Sequence, residues 1–554
     1  MNKFANTFCA LPEGSLVPVL TLAALITTQS NLAQTPGSLD PNFSSDGKVM
    51  IDLSAGNDRS YAIHRNSVNE RVYLVGYNVS EVSPGVEGGR IVEVLSSGDI
   101  SFNSNNGELN LPLNSYSRIY GTTDRTPSFV LTGQTGPSSE EHSMLLAGCY
   151  GDGVLHPNFG GGDGIVTTEF IPGQNSRGWD VAEIDWLNGD GFIAVGWSMN
   201  GGTPNEETFA VARHNVFGGL TSSFNGDGKL LIDFGPGSEW AHSVAVAEDD
   251  KLLVAGTYNG PTDSWFAIAR LNPDGTFDNS FGTLGKRLVQ MPSQSTLSDC
   301  WDVIIDSQER IVLVGFAGGN FNSTLPVIAR LTPDGDIDQS FGIGGVIVLE
   351  APGFNGGGFY SVVEQPDGKY ACAGFLKVTS TDSDFLLALV NANGAFDDQF
   401  GSSGYVTTSF GIGDERARDI VFQEIGIWGS LLTVGGYAQE TANDPIAFAV
   451  ARYITLLNVG VVEFDRSASS LLVYPNPIEE STTLTYTLKD REQLTISLMD
   501  LQGRPVCTFL NAQEMAPGEH KQEITMPVDV ASGNYLLVLS GPKGKMSVQV
   551  SKAN

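Results

Sequence analysis

The sequence predicts an all-β protein: a seven-bladed β-propeller of four-stranded repeats followed by a small immunoglobulin-like β-sandwich. Three observations carry this. Gly supplies 66 of the 554 residues and periodic Leu/Ala/Glu/Lys stretches are nearly absent, which favours short strands and tight turns over helices. A Phe followed within a few residues by Gly and a β-rich run recurs seven times, at Phe43, Phe102, Phe159, Phe224, Phe281, Phe341 and Phe400, with spacings of 59, 57, 65, 57, 60 and 59 residues. Beyond Tyr453 this pattern stops and a strict apolar/polar alternation replaces it.

The first element is a leader. Lys3 precedes an apolar run over 16–27, and a small Ala33 follows a polar stretch, which predicts a secretory signal peptide over 1–33. No other run approaches the roughly 18 apolar residues that a membrane helix needs, so no transmembrane segment is expected in the mature chain. Cys9 would leave with the leader. Cys149, Cys300, Cys372 and Cys507 lie far apart and form no CxxC pair, so buried thiols are expected rather than a zinc site or a disulfide framework.

Residues 34–454 are the expected propeller. In the fifth repeat, apolar runs at 287–291, 300–306, 310–316 and 326–331 are separated by Gly, Asp, Ser and Asn. Each is of strand length, and β-branched residues recur in the inner ones, giving four strands per repeat. The Pro-Asp-Gly triplets at 273–275, 333–335 and 366–368 are turn formers, since Pro presets one φ and Gly supplies a positive one. Seven copies of such a unit suit small sheets packed radially around a channel. The last run, 448–454, has no Phe-Gly segment after it, whereas the chain begins with one at Phe43; the two ends are therefore expected to complete one ring and remove exposed edges. An open solenoid is the alternative.

The combination of Ser-Phe-Gly-x-x-Gly, a later Asp-Gly-Lys/Arg before an apolar run ending in Gly, and Phe-Ala-x-Ala-Arg before the next turn resembles the delta-60 repeat of secreted bacterial proteins. The match is best at 266–282 and 327–342, and the first two repeats depart from it at 89–95 and 143–149. The resemblance implies a propeller-like fold and no established catalytic activity. Arg213, Arg270, Arg330 and Arg452, which end the Phe-Ala-x-Ala-Arg type strands, are read as blade-to-blade partners in ion pairs or hydrogen bonds; lining a channel that takes an acidic ligand is the alternative.

A linker is expected over 455–470 and a second domain over 471–554. Leu484, Tyr486 and Leu488 alternate onto one face, as do Leu494, Ile496 and Leu498, and then Met546, Val548 and Val550, the pattern of a sandwich with one buried face per sheet. Two prolines in Val-Tyr-Pro-Asn-Pro confine that segment to an edge or an entry turn. The ordered set Tyr474, Pro475, Asn476, Pro477, Asp500, Gly503, Arg504, Gly533, Tyr535, Lys545 and Lys552 resembles the type A C-terminal sorting domain of the type IX (Por) secretion system of Bacteroidetes. That resemblance implies handling by the type IX translocon and sorting machinery, and a secreted or cell-surface location; an ordinary accessory immunoglobulin-like domain is the alternative.

The net charge of −33 argues against nucleic acid or an anionic membrane as partner. The six histidines, at 64, 142, 156, 214, 242 and 520, sit in no GxSxG or HExxH context, so no catalytic residue and no metal site is assigned. His64 is placed in a strand, and His156 and His214 in turns. Asp46, Asp163, Asp227, Asp274, Asp334 and Asp367 recur at equivalent turns, which points to scaffold. Asp334, Asp336 and Asp338 offer oxygens at alternate positions to a calcium ion, but no Glu-terminated loop surrounds them and a turn is preferred. The tryptophans, at 179, 186, 197, 240, 265, 301 and 428, fit either blade interfaces or a sugar-stacking rim. The sequence thus points to a non-catalytic exoprotein that binds, or serves as a scaffold for, extracellular protein or glycan, without a cofactor. The alternative is an extracellular carbohydrate-active hydrolase or lyase on the same scaffold. An enzyme should gather non-repeating polar residues at one mouth of the channel. A passenger without a small ligand should have a channel filled by repeat side chains.

Overall fold

A computed structural model describes residues 35–554 apart from short stretches, the longest of them 80–86, 102–107, 185–190 and 458–467. The expected leader and Phe102 lie outside the described residues. All regular secondary structure among the described residues is β, and no helix is long and apolar enough to cross a membrane.

Between Lys48 and Leu457 the strands among the described residues form five four-stranded sheets and one eight-stranded sheet. The eight-stranded sheet is two four-strand sets joined at the single parallel pair Glu87↔Tyr116; within every set neighbouring strands are antiparallel. One set is Leu297–Ile305, Ile311–Gly318, Thr324–Leu331 and Val346–Val348. The strand that follows each Phe-Gly turn therefore belongs to the sheet before it, so Lys286–Val289 pairs with Ser264–Leu271 rather than with the runs after it. By the same offset Lys48–Ile51 has no sheet before it, and it completes the last one. It pairs antiparallel with Ala447–Leu457, from Lys48↔Ala451 to Ile51↔Phe448.

Cores form between successive sheets. Phe266, Ile268 and Phe281 of one pack with Cys300, Leu313 and Ala329 of the next. The last sheet meets the first in the same way, Phe43, Ile51, Phe448 and Val450 packing with Ile63, Leu74 and Val92. Each described repeat Phe is buried, Phe224, Phe281, Phe341 and Phe400 completely. Close approach of strands also fixes particular glycines. A Cβ on Gly256 would sit 1.9 Å from the Trp240 carbonyl oxygen, and one on Gly315 equally close to that of Asp299; this is the Gly that ends the apolar run of the repeat.

The C-terminal region has a three-stranded sheet, Ala468–Tyr474, Ser481–Leu488 and Gly518–Thr525, and a four-stranded one, Pro505–Met515, Glu492–Met499, Gly533–Gly541 and Gly544–Lys552. Leu484, Tyr486, Leu488, Leu494, Ile496, Leu498 and Val550 share one core. The flanking strands run past the expected linker limits: Leu456 and Leu457 pair with Ser430 and Gly429, and a strand already begins at Ala468. Cys149, Cys300 and Cys372 are buried free thiols and Cys507 is a partly buried one. His214 is not in a turn. It lies near the end of the strand Glu207–Asn215, buried, with its Nδ1 2.7 Å from the Gly218 carbonyl oxygen, because the turn that follows folds back over the ring.

Candidate functional site

Seven equivalent strands line the channel: Asp58–Arg65, Tyr116–Arg125, Ser176–Ile184, Ser238–Val246, Leu297–Ile305, Gly357–Glu364 and Arg416–Glu424. Each carries one register shift against its neighbour, and the extra residue is Tyr61, Tyr120, Trp179, His242, Trp301, Tyr360 and Arg418 in turn. A bulge re-aims a side chain that regular pleating would send elsewhere, and here it brings seven large groups to the axis. They pack on one another. Tyr61 and Tyr120 meet edge-on at 5.0 Å, Tyr120 and Trp179 lie 4.4 Å apart, and Trp179 and Trp301 meet edge-on at 5.5 Å. His242 stacks on Trp301 at 4.2 Å, and Trp301 meets Tyr360 edge-on at 5.0 Å. Arg418, 8% exposed, closes the circuit over the rings of Tyr360, Trp301 and Tyr61 at 3.8, 4.4 and 4.7 Å. These contacts are favourable for edge-to-face rings and for a guanidinium over a ring face.

The next residue on each strand forms a second layer: Ala62, Gly121, Asp180, Ser243, Asp302, Ser361 and Asp419. Its carboxylates tie neighbouring sheets together. Asp180 accepts from Val181 N at 2.8 Å and from Val244 N of the next sheet at 2.9 Å. Asp302 accepts from Ser243 Oγ, Val303 N and Val362 N at 2.7, 2.7 and 2.8 Å, and Asp419 from Ser361 Oγ, Ile420 N and Ile63 N at 2.8, 2.8 and 2.9 Å. The last of these bonds joins the final sheet to the first. The cavity these residues line measures about 100 Å³, room for a few waters; small-molecule pockets run to roughly 300–1,000 Å³.

Loss of water contact raises these carboxyls, Asp180 to about 7 and Asp419 to about 6, with Asp302 also raised. Burial likewise lifts Glu239 and Glu415 to about 7. A folded-state pKa above the unfolded value means that the folded chain binds more protons over that interval, so stability from these groups is full below about pH 4 and is lost as pH rises through 6–7. The thermal midpoint is therefore expected to fall by a few degrees between pH 5 and pH 8, and the slope to flatten in Asp180→Asn; a midpoint that rises over that range would contradict the assignment.

Two residues before the bulge, at one mouth of the channel, stand Arg59, Arg118, Arg177, Trp240, Asp299, Gly358 and Arg416. Glu87 pairs with the Arg118 guanidinium through both oxygens, and Asp414 with Arg416 Nε at 2.8 Å. Trp240 Nε1 donates to Glu207 at 3.0 Å, and Asp299 accepts from Thr257 and lies 3.6 Å from His242.

The residues singled out by repetition lie away from the channel. Arg270 Nε binds Asp278 at 2.8 Å while its Nη1 donates to the Pro333 carbonyl of the next sheet. Arg330 does the same with Asp338 and Ala392 O, Arg452 with Asp40 and Ser96 O, and Arg213 reaches Pro273 O at 2.6 Å. Three of these arginines lie over the repeat Phe rings, Arg270 on Phe281, Arg330 on Phe341 and Arg452 on Phe43, at 4.3 to 4.7 Å. Asp46, Asp163, Asp227, Asp274 and Asp367 each accept from the backbone N–H two residues on, the Asx-turn geometry. Asp336 faces Arg287 at 3.7 Å while Asp338 is held by Ser340 and Arg330. With Asp334 they form no metal-binding group, and no set of three His, Cys, Asp or Glu does among the described residues. Trp179 and Trp301 fill the channel; Trp186 and Trp428 lie outside the described residues.

In the C-terminal region Tyr474 is exposed and ends an edge strand, with Pro475, Asn476 and Pro477 just beyond it. Asn476 Oδ1 accepts from Ser551 N at 2.8 Å, and Ile478 forms a parallel bridge with Lys552, whose Nζ donates to Pro527 O at 3.0 Å. The motif thereby joins the first and last strands of this region. Tyr535 donates to Ala531 O at 2.8 Å, and Gly533 begins its strand with φ 156°. Asp500, Gly503, Arg504 and the Lys545 side chain lie outside the described residues.

Residues 247–281, 310–341 and 365–400 match a family described as domain of unknown function (DUF5122) beta-propeller, and residues 472–552 match the secretion system C-terminal sorting domain. No curated protein matches the chain. Among solved structures it is similar to PorZ, a surface component of the type-IX secretion system of Porphyromonas gingivalis, at 11% identity over 89% of this chain and 81% of that one (TM-score 0.21). It is also similar to a protein of unknown function from Dyadobacter fermentans, at 11% identity over 74% and 98% (TM-score 0.37). A third is polysaccharide lyase Uly1, at 10% identity over 77% and 94% (TM-score 0.41). The sorting domain marks the protein for secretion to the cell surface or exterior. The chain is a β-propeller protein with a type IX sorting tail.

Proposed function

We propose that the protein is a non-catalytic binding or scaffold module of the cell exterior, in which the seven four-strand sets between residues 34 and 454 form one closed ring. Residues 471–554 are its address, handled by the type IX translocon. The observation that carries the reading is the filled channel: the groups at its centre occupy repeat-equivalent bulge positions, and the carboxylates beneath them accept hydrogen bonds from backbone N–H groups and serines; the non-repeating polar set at the mouth is mainly arginine, with Asp299 its one carboxylate, and so offers no acid and base pair. General acid and base carboxylates need a substrate-sized gap between them, and a cavity of about 100 Å³ has none. His242 is spoken for in the same way, its Nδ1 2.6 Å from the Cys300 carbonyl oxygen and its face on Trp301.

Two measurements test this. The purified protein is expected to show no turnover of glycosidase, polysaccharide lyase or esterase substrates; turnover abolished by changing a single channel carboxylate would overturn the reading. A chain lacking residues 471–554 is expected to remain inside the cell envelope, and its continued appearance in the medium or on the surface would remove the sorting role.

A further inference from the structure

Five guanidiniums gather at one end of the channel in a chain whose net charge is −33. Arg118 and Arg416 have carboxylate partners in Glu87 and Asp414. Arg59, Arg177 and Arg418 form no ion pair among the described residues, and the Nε of each is buried with no hydrogen-bond partner. Arg59 shares a side-chain hydrogen bond with Tyr61, and all three guanidiniums lie against rings. Arg59 lies 5.3 Å from Tyr437, Arg177 5.3 Å from each of Tyr120, Trp179 and Trp197, and Arg418 against Tyr360, Trp301 and Tyr61. Ring contacts from Tyr437 through Tyr61 and Tyr120 to Trp179 link the three. Burial acts the other way, yet Arg418 and Arg59, a hydrogen bond with Tyr77 and then Arg118 hold the Tyr61 phenol below its ordinary value.

Ring faces compensate a desolvated cation only in part, and an unpaired charge held out of water is costly. Among the described residues no ion pair joins these three to the carboxylates of the layer beneath, whose oxygens accept from backbone N–H groups and serines. The Nη–H groups of a guanidinium donate well to the oxygens of a carboxylate or a sulfate. We propose that this mouth is an oxyanion-binding site, taking a carboxylate or sulfate group through Arg59, Arg177 and Arg418. The inference rests on the protein being a binding module. A free inorganic anion and an acidic polysaccharide present the same chemistry.

The test is titration of the purified full-length secreted protein at low ionic strength, followed by tryptophan emission, since Arg177 lies over Trp179 and Trp197. Sodium sulfate, glucuronate, polygalacturonate and glucose serve as ligands. Sulfate and glucuronate are expected to give saturable changes and glucose none, with affinity lowered about tenfold in Arg59→Gln and in Arg177→Gln and unchanged in Lys251→Gln, a lysine outside the channel. Polygalacturonate binding tighter per residue than glucuronate assigns the site to a glycan; equal binding assigns it to free anions. In the unaltered protein, sulfate should raise the thermal midpoint above that in chloride of matched ionic strength, a readout that does not depend on the variants folding. No saturable response to either anion, an equal response to glucose, or unchanged affinity in both arginine variants would overturn the site. Such a failure without turnover leaves the scaffold reading standing, whereas turnover alongside anion binding removes the non-catalytic reading and leaves the site.

Discussion

A chain lacking residues 35–53 is expected to lose the cooperative fold of the repeat array rather than one strand of it. The segment supplies the fourth strand of the last sheet, from Lys48↔Ala451 to Ile51↔Phe448. Upstream of that strand it adds backbone bonds from Gly37 N to Ile454 O at 2.7 Å and from Ile454 N to Ser38 O at 2.9 Å. Phe43 and Ile51 lie in the core between the last and first sheets, and burial of two such side chains contributes about 3–6 kcal/mol. Asp40 is the carboxylate partner of Arg452, at 2.8 Å and with both side chains nearly buried. The deletion removes that ion pair together with the Phe43 ring over which the guanidinium lies. Together these approach the whole stability of an ordinary domain, about 5–15 kcal/mol, and the deletion also exposes the edge of Ala447–Leu457, a template for aggregation. Near-ultraviolet circular dichroism and the soluble fraction after expression are the readouts. A truncated protein that melts cooperatively close to the full chain would show that the ends do not close the array.

How much of this was legible in the sequence follows from how strictly each position is constrained. The repeat Phe was visible because one residue type fills one packed site under an arginine, as Phe281 does beneath Arg270. The offset of sheets from repeats was not visible, since Lys286–Val289 reads as a strand whichever neighbour it pairs with. The channel residues escaped for a different reason. Their site asks only for bulk at the axis, so Tyr, Trp, His and Arg alternate there without a consensus, and the bulge breaks the period of two on which strand reading depends. A signal nonetheless existed. The spacings of Tyr61, Tyr120, Trp179, His242, Trp301, Tyr360 and Arg418 are 59, 59, 63, 59, 59 and 58 residues, more even than those of the Phe, and a small residue or Asp and then a β-branched residue follow each. The arginine mouth was hidden by averaging, because a net charge of −33 says nothing about where thirty basic side chains stand.

Asp302→Ala is expected to destabilise the protein by about 3–5 kcal/mol, the second large effect. Its two oxygens accept from Ser243 Oγ and Val303 N on one side and from Val362 N on the other, so one carboxylate links three successive sheets. Alanine leaves the Val362 N–H and the Ser243 hydroxyl without acceptors and Val303 N with only a long 3.4 Å bond to Ser243 Oγ, and each orphaned donor costs about 1–3 kcal/mol. Asp302→Asn should cost less, since its amide oxygen still serves one side. The amide nitrogen then faces a donor on the other side, so the loss should not vanish. A double-mutant cycle with Ser243→Ala separates the shared bond, with a coupling of about 0.5–3 kcal/mol expected from chemical denaturation. The same variant discriminates structure from chemistry. A carboxylate positioned for acid or base work is bonded loosely enough to trade protons with a substrate, and its removal silences turnover while sparing stability. Asp302 is bonded at all its useful lone pairs to the scaffold, so its removal should do the reverse. Asp302→Ala with an unchanged denaturation midpoint would mean that the girdle of Asp180, Asp302 and Asp419 does not hold the sheets together.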